Sequence, residues 1–239
     1  MAAARWTTLS RSRIHTALML ALTFSTGVID AVGYLGLDRV FTGNMTGNLV
    51  LLGLAAGRAK GSEVVRSAVS LGAFSVGVLL AASLVAMISR RRPETGGARV
   101  WPVGVSVVLV LEVLLQAGFL AGWLSVRGHP GLTFTAVLVG VSALAMGMQS
   151  DAVAALGVAG VTTTYVTGTM TGLLRSLVIG GADAPNRARR AAVLVGLLVG
   201  AVVGGVVIVA ARRFAPVIPL AATGSVLVAA LWWLRVRAR

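Results

Sequence analysis

The chain alternates apolar segments that are too long and too poor in charge for a soluble core with short connections that hold most of its basic residues. Eight such segments can be marked, at 15–37, 41–57, 65–89, 101–126, 131–158, 162–181, 191–211 and 214–234. Only 12% of the 239 residues are charged, against about 25% in an ordinary soluble domain. Runs of this kind belong in a bilayer. Backbone groups there find no water and must be satisfied within the protein, so the expected fold class is an all-α integral membrane protein.

A polar phrase written twice sets the organisation. Residues 42–48 read TGNMTGN and residues 167–173 read TGTMTGL. Each follows an aspartate set in apolar sequence, GVIDA at 27–31 and GMQSDA at 147–152. Asp30 and Asp151 are 121 residues apart, Thr42 and Thr167 are 125 apart, and Gly72 and Gly196 are 124 apart. The chain therefore reads as a basic N-terminal tail (1–14) followed by two diverged membrane repeats, 15–126 and 131–235, in a single membrane domain.

Two segments are poor spans. Segment 41–57 falls short of the roughly 20 apolar residues a crossing needs, and segment 162–181 is broken by a run of threonines. Both suit re-entrant or broken helices, since irregular backbone at membrane depth survives only where it is buried in protein or lines a cavity. The expectation is six full spans plus two short TG helices, with eight spans as the alternative. Either count puts 14 of the 21 basic residues on one side, which makes both termini cytoplasmic. The Arg90-Arg91-Arg92 cluster abuts a span, and only six spans place it inside. Six spans also make the halves inverted, a common transporter architecture.

The polar residues inside these segments are the candidate site. An aspartate deep in a span costs about 2.5–3.5 kcal/mol and tends to face the bundle interior. Asp30 and Asp151 have no basic residue at helical spacing, which suits a proton or cation carrier; wetted positions at span ends are the alternative. Thr42, Asn44, Thr46, Asn48, Thr167, Thr169 and Thr171 offer neutral ligands, and the amides must be satisfied in lipid. Gly43 and Gly47, like Gly168 and Gly172, form small-xxx-small pairs that allow close helix packing. Gly33 and Gly36 permit a tight bend before Thr42. A helix restarting at Thr42 would aim free N–H groups at a solute; Thr162, Thr163 and Thr164 precede the second phrase. Gln149 adds an amide beside Asp151. Glu112, paired with Gln116 at i, i+4, is a second candidate for proton handling or a packing hydrogen bond. Trp101, Trp123 and Trp232 sit at segment ends, where aromatic belts form.

Several functions are excluded or disfavoured. With no cysteine there is no thiolate chemistry or disulfide, and His15 and His129 lie at interfaces, so neither a metal centre nor a cofactor is expected. The basic residues flank apolar runs instead of interleaving with aromatics, so nucleic acid is not an expected partner. No Walker loop, G-x-S-x-G elbow or H-E-x-x-H is present, and the Y-D and G-x-G-D motifs of intramembrane aspartic proteases are absent, so the chain is not expected to be an enzyme.

G-x-x-D-A followed by F-T-G-N-M-T-G-N, and G-M-Q-x-D-A followed by V-T-G-T-M-T, resemble the YoaK family of bacterial multi-pass membrane proteins over roughly residues 12 to 235. The resemblance implies an inner-membrane protein of about six spans with no established substrate. The matching positions are Gly27, Asp30, Phe41, Thr42, Gly43, Asn44, Thr46, Gly47 and Asn48, then Gly147, Gln149, Thr167, Gly168, Thr169 and Thr171. The reading that follows is a secondary transporter or exporter of an unidentified small solute or ion, with proton coupling. A passive channel and a non-transporting membrane scaffold are the alternatives. The expected partners are the lipid bilayer and the solute, with a second copy of the chain left open.

Overall fold

The computed structural model describes residues 2–91, 101–156, 166–179 and 184–237. Thr162, Thr163, Thr164 and Arg92 lie outside them. Eight α-helices follow in order: α1 Ala2–Gly36, α2 Met45–Gly57, α3 Gly61–Arg91, α4 Val103–Ser125, α5 Leu132–Ala155, α6 Val166–Ile179, α7 Ala184–Ala210 and α8 Val217–Arg237, with a 3-10 turn at Arg212–Phe214 before α8. No strand occurs among the described residues.

Among the described residues, six segments are long and apolar enough to cross a bilayer: Thr16–Gly36, Gly61–Arg91, Val103–Ser125, Leu132–Ala155, Pro185–Ala210 and Arg212–Trp232. The 13 residues of α2 and 14 of α6 reach only about 20 Å at 1.5 Å per residue, short of a hydrocarbon core of about 30 Å. Among the described residues, α2 and α6 are thus too short to cross, as the six-span reading expects. The fold is an all-α integral membrane bundle of six spans and two short helices, and its surroundings are the lipid bilayer. Leu79, Leu198 and Val209, each well over half exposed, face outward as lipid-facing residues do.

The repeats exchange partners instead of packing separately. The most extensive interfaces are α1 on α7 and α3 on α5, each joining one repeat to the other. Glycines make both possible. Gly27 of α1 lies against the backbone of Leu197 and Gly200 in α7, and Gly204 lies against Val28 and Ala31. In the other pair Gly147 of α5 abuts the Phe74 carbonyl of α3, and Gly77 of α3 abuts Leu144 and Met148. Without a Cβ the backbones approach closely, the usual route to tight packing when lipid offers no hydrophobic drive.

Direction follows from these contacts. Higher numbers in α1 meet higher numbers in α7, and the same holds for α3 with α5, so each pair is parallel. The first pair runs opposite to the second, because α3 starts at the end where α1 stops: Arg66, early in α3, bonds Asp38, just past α1, at 2.6 Å. The halves are therefore inverted. Trp101 and Trp123 depart from the expected aromatic belt. Both are buried, and each indole N–H donates inside the protein, to Ser106 Oγ at 3.0 Å and to the Arg212 carbonyl at 2.9 Å. Trp232 is exposed.

A side chain at Gly147 or Gly200 would strike backbone and push the paired helices apart, whereas one at Gly53 meets nothing within 4 Å. Gly147→Val and Gly200→Val are each expected to destabilise by about 1–3 kcal/mol, and Gly53→Ala to be neutral or stabilising. Thermal unfolding in detergent checks the contrast.

Candidate functional site

The first TG phrase is built by a chain that turns back into the membrane. After α1 ends at Gly36, residues 37–44 run back along it. Gly33 makes room, since a Cβ there would lie 2.9 Å from the Val40 carbonyl oxygen, and Phe41 stacks on Tyr34 at 5.0 Å between ring centroids. The returning chain reaches the level of Asp30, six residues before the helix end, or about 9 Å deep. Helix α2 then rises to the same membrane face, where Arg58 and Lys60 share a cavity with Asp38 and Arg39.

Asp30 holds the turning point. Its Oδ1 accepts the backbone N–H groups of Thr42 at 2.9 Å and Gly43 at 2.7 Å. These N–H groups are thus committed to the carboxylate, which corrects the expectation that they would point at a solute. Helix α2 starts at Met45, not Thr42, with Asn44 as N-cap accepting from Gly47 N at 3.1 Å. Gly43 must be small, since a Cβ there would meet Thr26 and the Asp30 carboxylate at 3.1–3.4 Å. At Gly47 it would meet the Phe41 ring and the Asn44 amide at 3.0–3.1 Å.

Asn48 is engaged in the fold. Its Oδ1 accepts from Phe41 N at 2.9 Å, and its Nδ2 donates to Phe41 O at 2.7 Å and to Ser70 Oγ at 2.8 Å. Ser70 Oγ also donates to Phe41 O at 2.7 Å. One side-chain amide thereby imitates a strand partner for a residue that has none. Thr42 is fully buried and its hydroxyl has no partner among the described residues. Asn44 and Thr46 are exposed.

A cavity of about 660 Å³ opens beside this turn. Thr26, Asp30, Asn44 and Thr46 line it from the first repeat, and Val166 and Thr167, the first residues of α6, line it from the second. Both short helices therefore begin at one polar cavity. Thr167 and Thr171 are exposed, Thr169 is buried and bonded, and Gly168 lies between the first two threonines on the same helix. Arg190 Nη1 donates to the Gly172 carbonyl at 3.0 Å, tying α6 to α7.

The other acids are not at this cavity's wall. Gln149 is fully buried and donates to Thr26 Oγ1 at 2.8 Å, which brings α1 and α5 to one depth. Counting from that contact, Asp30 lies four residues toward one membrane face and half-buried Asp151 two residues toward the other. They are separated along the helix axes by about 9 Å. Glu112 is buried in a separate cluster at mid-bundle. Its Oε1 accepts from Gln116 at 2.7 Å and from Thr223 Oγ1 at 3.4 Å, and Thr223 meets Ser25 at 3.2 Å. Sequence reasoning missed Ser70, Thr26, Thr223 and Ser25, since a lone hydroxyl in an apolar helix carries no pattern. It also missed the Arg66 contact, because Asp38 lies outside α1.

Asn48→Ala would leave the Phe41 N–H without its acceptor, while Ser70 still donates to the Phe41 carbonyl, and is expected to cost about 1–3 kcal/mol. Asn44→Ala removes an exposed cap and is expected to cost about 1 kcal/mol. Unfolding midpoints of the two variants in one detergent check the order.

Comparison with known proteins agrees with this architecture. The family model described as "Protein of unknown function (DUF1275)" matches residues 18–231. The UPF0700 transmembrane protein YoaK of Bacillus subtilis (strain 168) is 34% identical over 163 residues, covering 68% of this chain and 67% of that protein. No solved structure matches. With the matched region taking in both TG phrases and nearly the whole of the six spans, the chain belongs to the DUF1275 family of membrane proteins.

Proposed function

We propose that the chain is a secondary transporter or exporter of a small solute or ion, coupled to protons, and not an enzyme. The observation that supports this reading most is the cavity shared by the starts of α2 and α6. Polar side chains at membrane depth are costly, and here Asp30, Asn44, Thr46 and Thr167 from both repeats face one space. Half-helices from inverted repeats that meet near the midplane are the usual construction of a transporter's binding site. In this reading Asp30 exchanges a proton or cation with the cavity, and Asn44, Thr46 and Thr167 orient the solute. Because the Asp30 carboxylate also holds the turn at Thr42 and Gly43, a change in its charge alters the wall of the cavity. Glu112 and Asp151, placed elsewhere, serve proton movement across the bundle. In this reading the end bearing both termini, with its excess of positive charge, faces the cytoplasm of a bacterial inner-membrane protein.

The test is solute-dependent proton flux in proteoliposomes. Asp30→Asn keeps an acceptor for the two N–H groups but removes the titrating site, so flux is expected to fall at least tenfold with the fold intact. Unchanged flux would remove Asp30 from the mechanism. Flux that persists without a gradient and does not saturate would favour a passive channel.

A further inference from the structure

A second polar cavity, of about 390 Å³, lies at the membrane face where α1 ends and α3 begins. It is separate from the TG cavity and plays no part in the transport reading. Arg66 lines it and is 4% exposed. A guanidinium has five N–H donors and no acceptor. Nη2 of Arg66 bonds Asp38 Oδ2 at 2.6 Å, yet Nη1 is buried with no partner among the described residues. A buried cation with unmet donors is costly unless another acceptor reaches it.

The surroundings call for that acceptor to be anionic. Arg39, Arg58 and Lys60 join Arg66 on the wall, opposed by Asp38 and Glu63 alone. Four cations against two carboxylates leave an excess charge of +2. Asp38 and Arg39 both adopt left-handed backbone, at φ 65° and 62°, an arrangement held by the Asp38–Arg66 pair. Asp38 is largely exposed, so its carboxylate does not fill the cavity. Leu51 and Leu54 extend the wall along α2 toward the apolar zone.

We propose that this cavity binds a phosphate group of net negative charge, carried by inorganic phosphate or by an anionic phospholipid headgroup. The planar fork of an arginine matches phosphate oxygens in a bidentate way, and lysine adds a point charge. The position at the membrane boundary, with leucines leading into the apolar zone, suits a headgroup whose acyl chain lies along α2.

Calorimetric titration of the delipidated full chain in a neutral detergent tests this. The probes are dioctanoyl phosphatidylglycerol, dioctanoyl phosphatidylcholine and inorganic phosphate. Saturable binding is expected, weakened at least tenfold in Arg58→Gln/Lys60→Gln, whose parent side chains are exposed. Arg39→Gln gives a second reading in the same direction. Arg90→Gln/Arg91→Gln, at the opposite end, should bind as the parent does. Binding of inorganic phosphate identifies a free-anion site; binding of phosphatidylglycerol alone identifies a headgroup site. The proposal is overturned if neither ligand binds, if the double variant binds as tightly as the parent, or if phosphatidylcholine binds equally well.

Discussion

A backbone that reverses direction inside hydrocarbon has to find partners for its N–H and C=O groups within the protein, because no water is there to supply them. Residues 37–44 meet this requirement through two side chains. Asp30 accepts from Thr42 and Gly43, and Asn48 pairs with both backbone groups of Phe41. Gly33 and Gly43 provide the space. Remove these groups and the first TG phrase has no reason to stay at membrane depth. The start of α2 would then leave the cavity it shares with α6. The polar cavity thus depends on a set of hydrogen bonds beside it, and Asp30 belongs to both.

The inverted arrangement rests on a different kind of contact. Gly27 with Gly200, and Gly147 with the α3 backbone near Phe74, bring the two parallel helix pairs to nearly touching backbones. Some buried polar residues also find their partners only in the other repeat. The Nε2 of Gln149 in the second repeat donates to Thr26 of the first. Between α4 and α8, Gln116 donates to Thr223, and Thr223 donates to Glu112. The repeat is an architectural device as much as a trace of duplication.

Much of this was legible in the sequence. The spans follow from apolar length, and the two short helices from the deficit of apolar residues around Thr42 and Thr167. Of the doubled phrase, Gly43, Asn44, Thr46, Gly47 and Thr167 line the cavity, while Thr42, Asn48, Thr169 and Thr171 do not, and Thr26 lines it without a signal in the sequence. What could not be read was the division of labour inside the phrase. Asn44 and Asn48 look alike four residues apart, yet one caps α2 at an exposed site and the other is locked to Phe41 and Ser70. That difference is set by the reversal at 37–44, a tertiary event with no periodic signature. Trp101 and Trp123 show the same limit. Their positions suggested the membrane interface, but hydrogen-bond partners for both indoles lie inside.

The chain contains no cysteine, so introduced thiols report without background. Asn44→Cys with Thr167→Cys places one thiol at the start of each short helix, both lining the shared cavity. In membranes, both should react with a small water-soluble thiol reagent, and a short bifunctional reagent should join them in high yield within one monomer. A pair that reacts with neither reagent, or that labels but never crosslinks within a monomer, would contradict a common wet cavity between the two repeats.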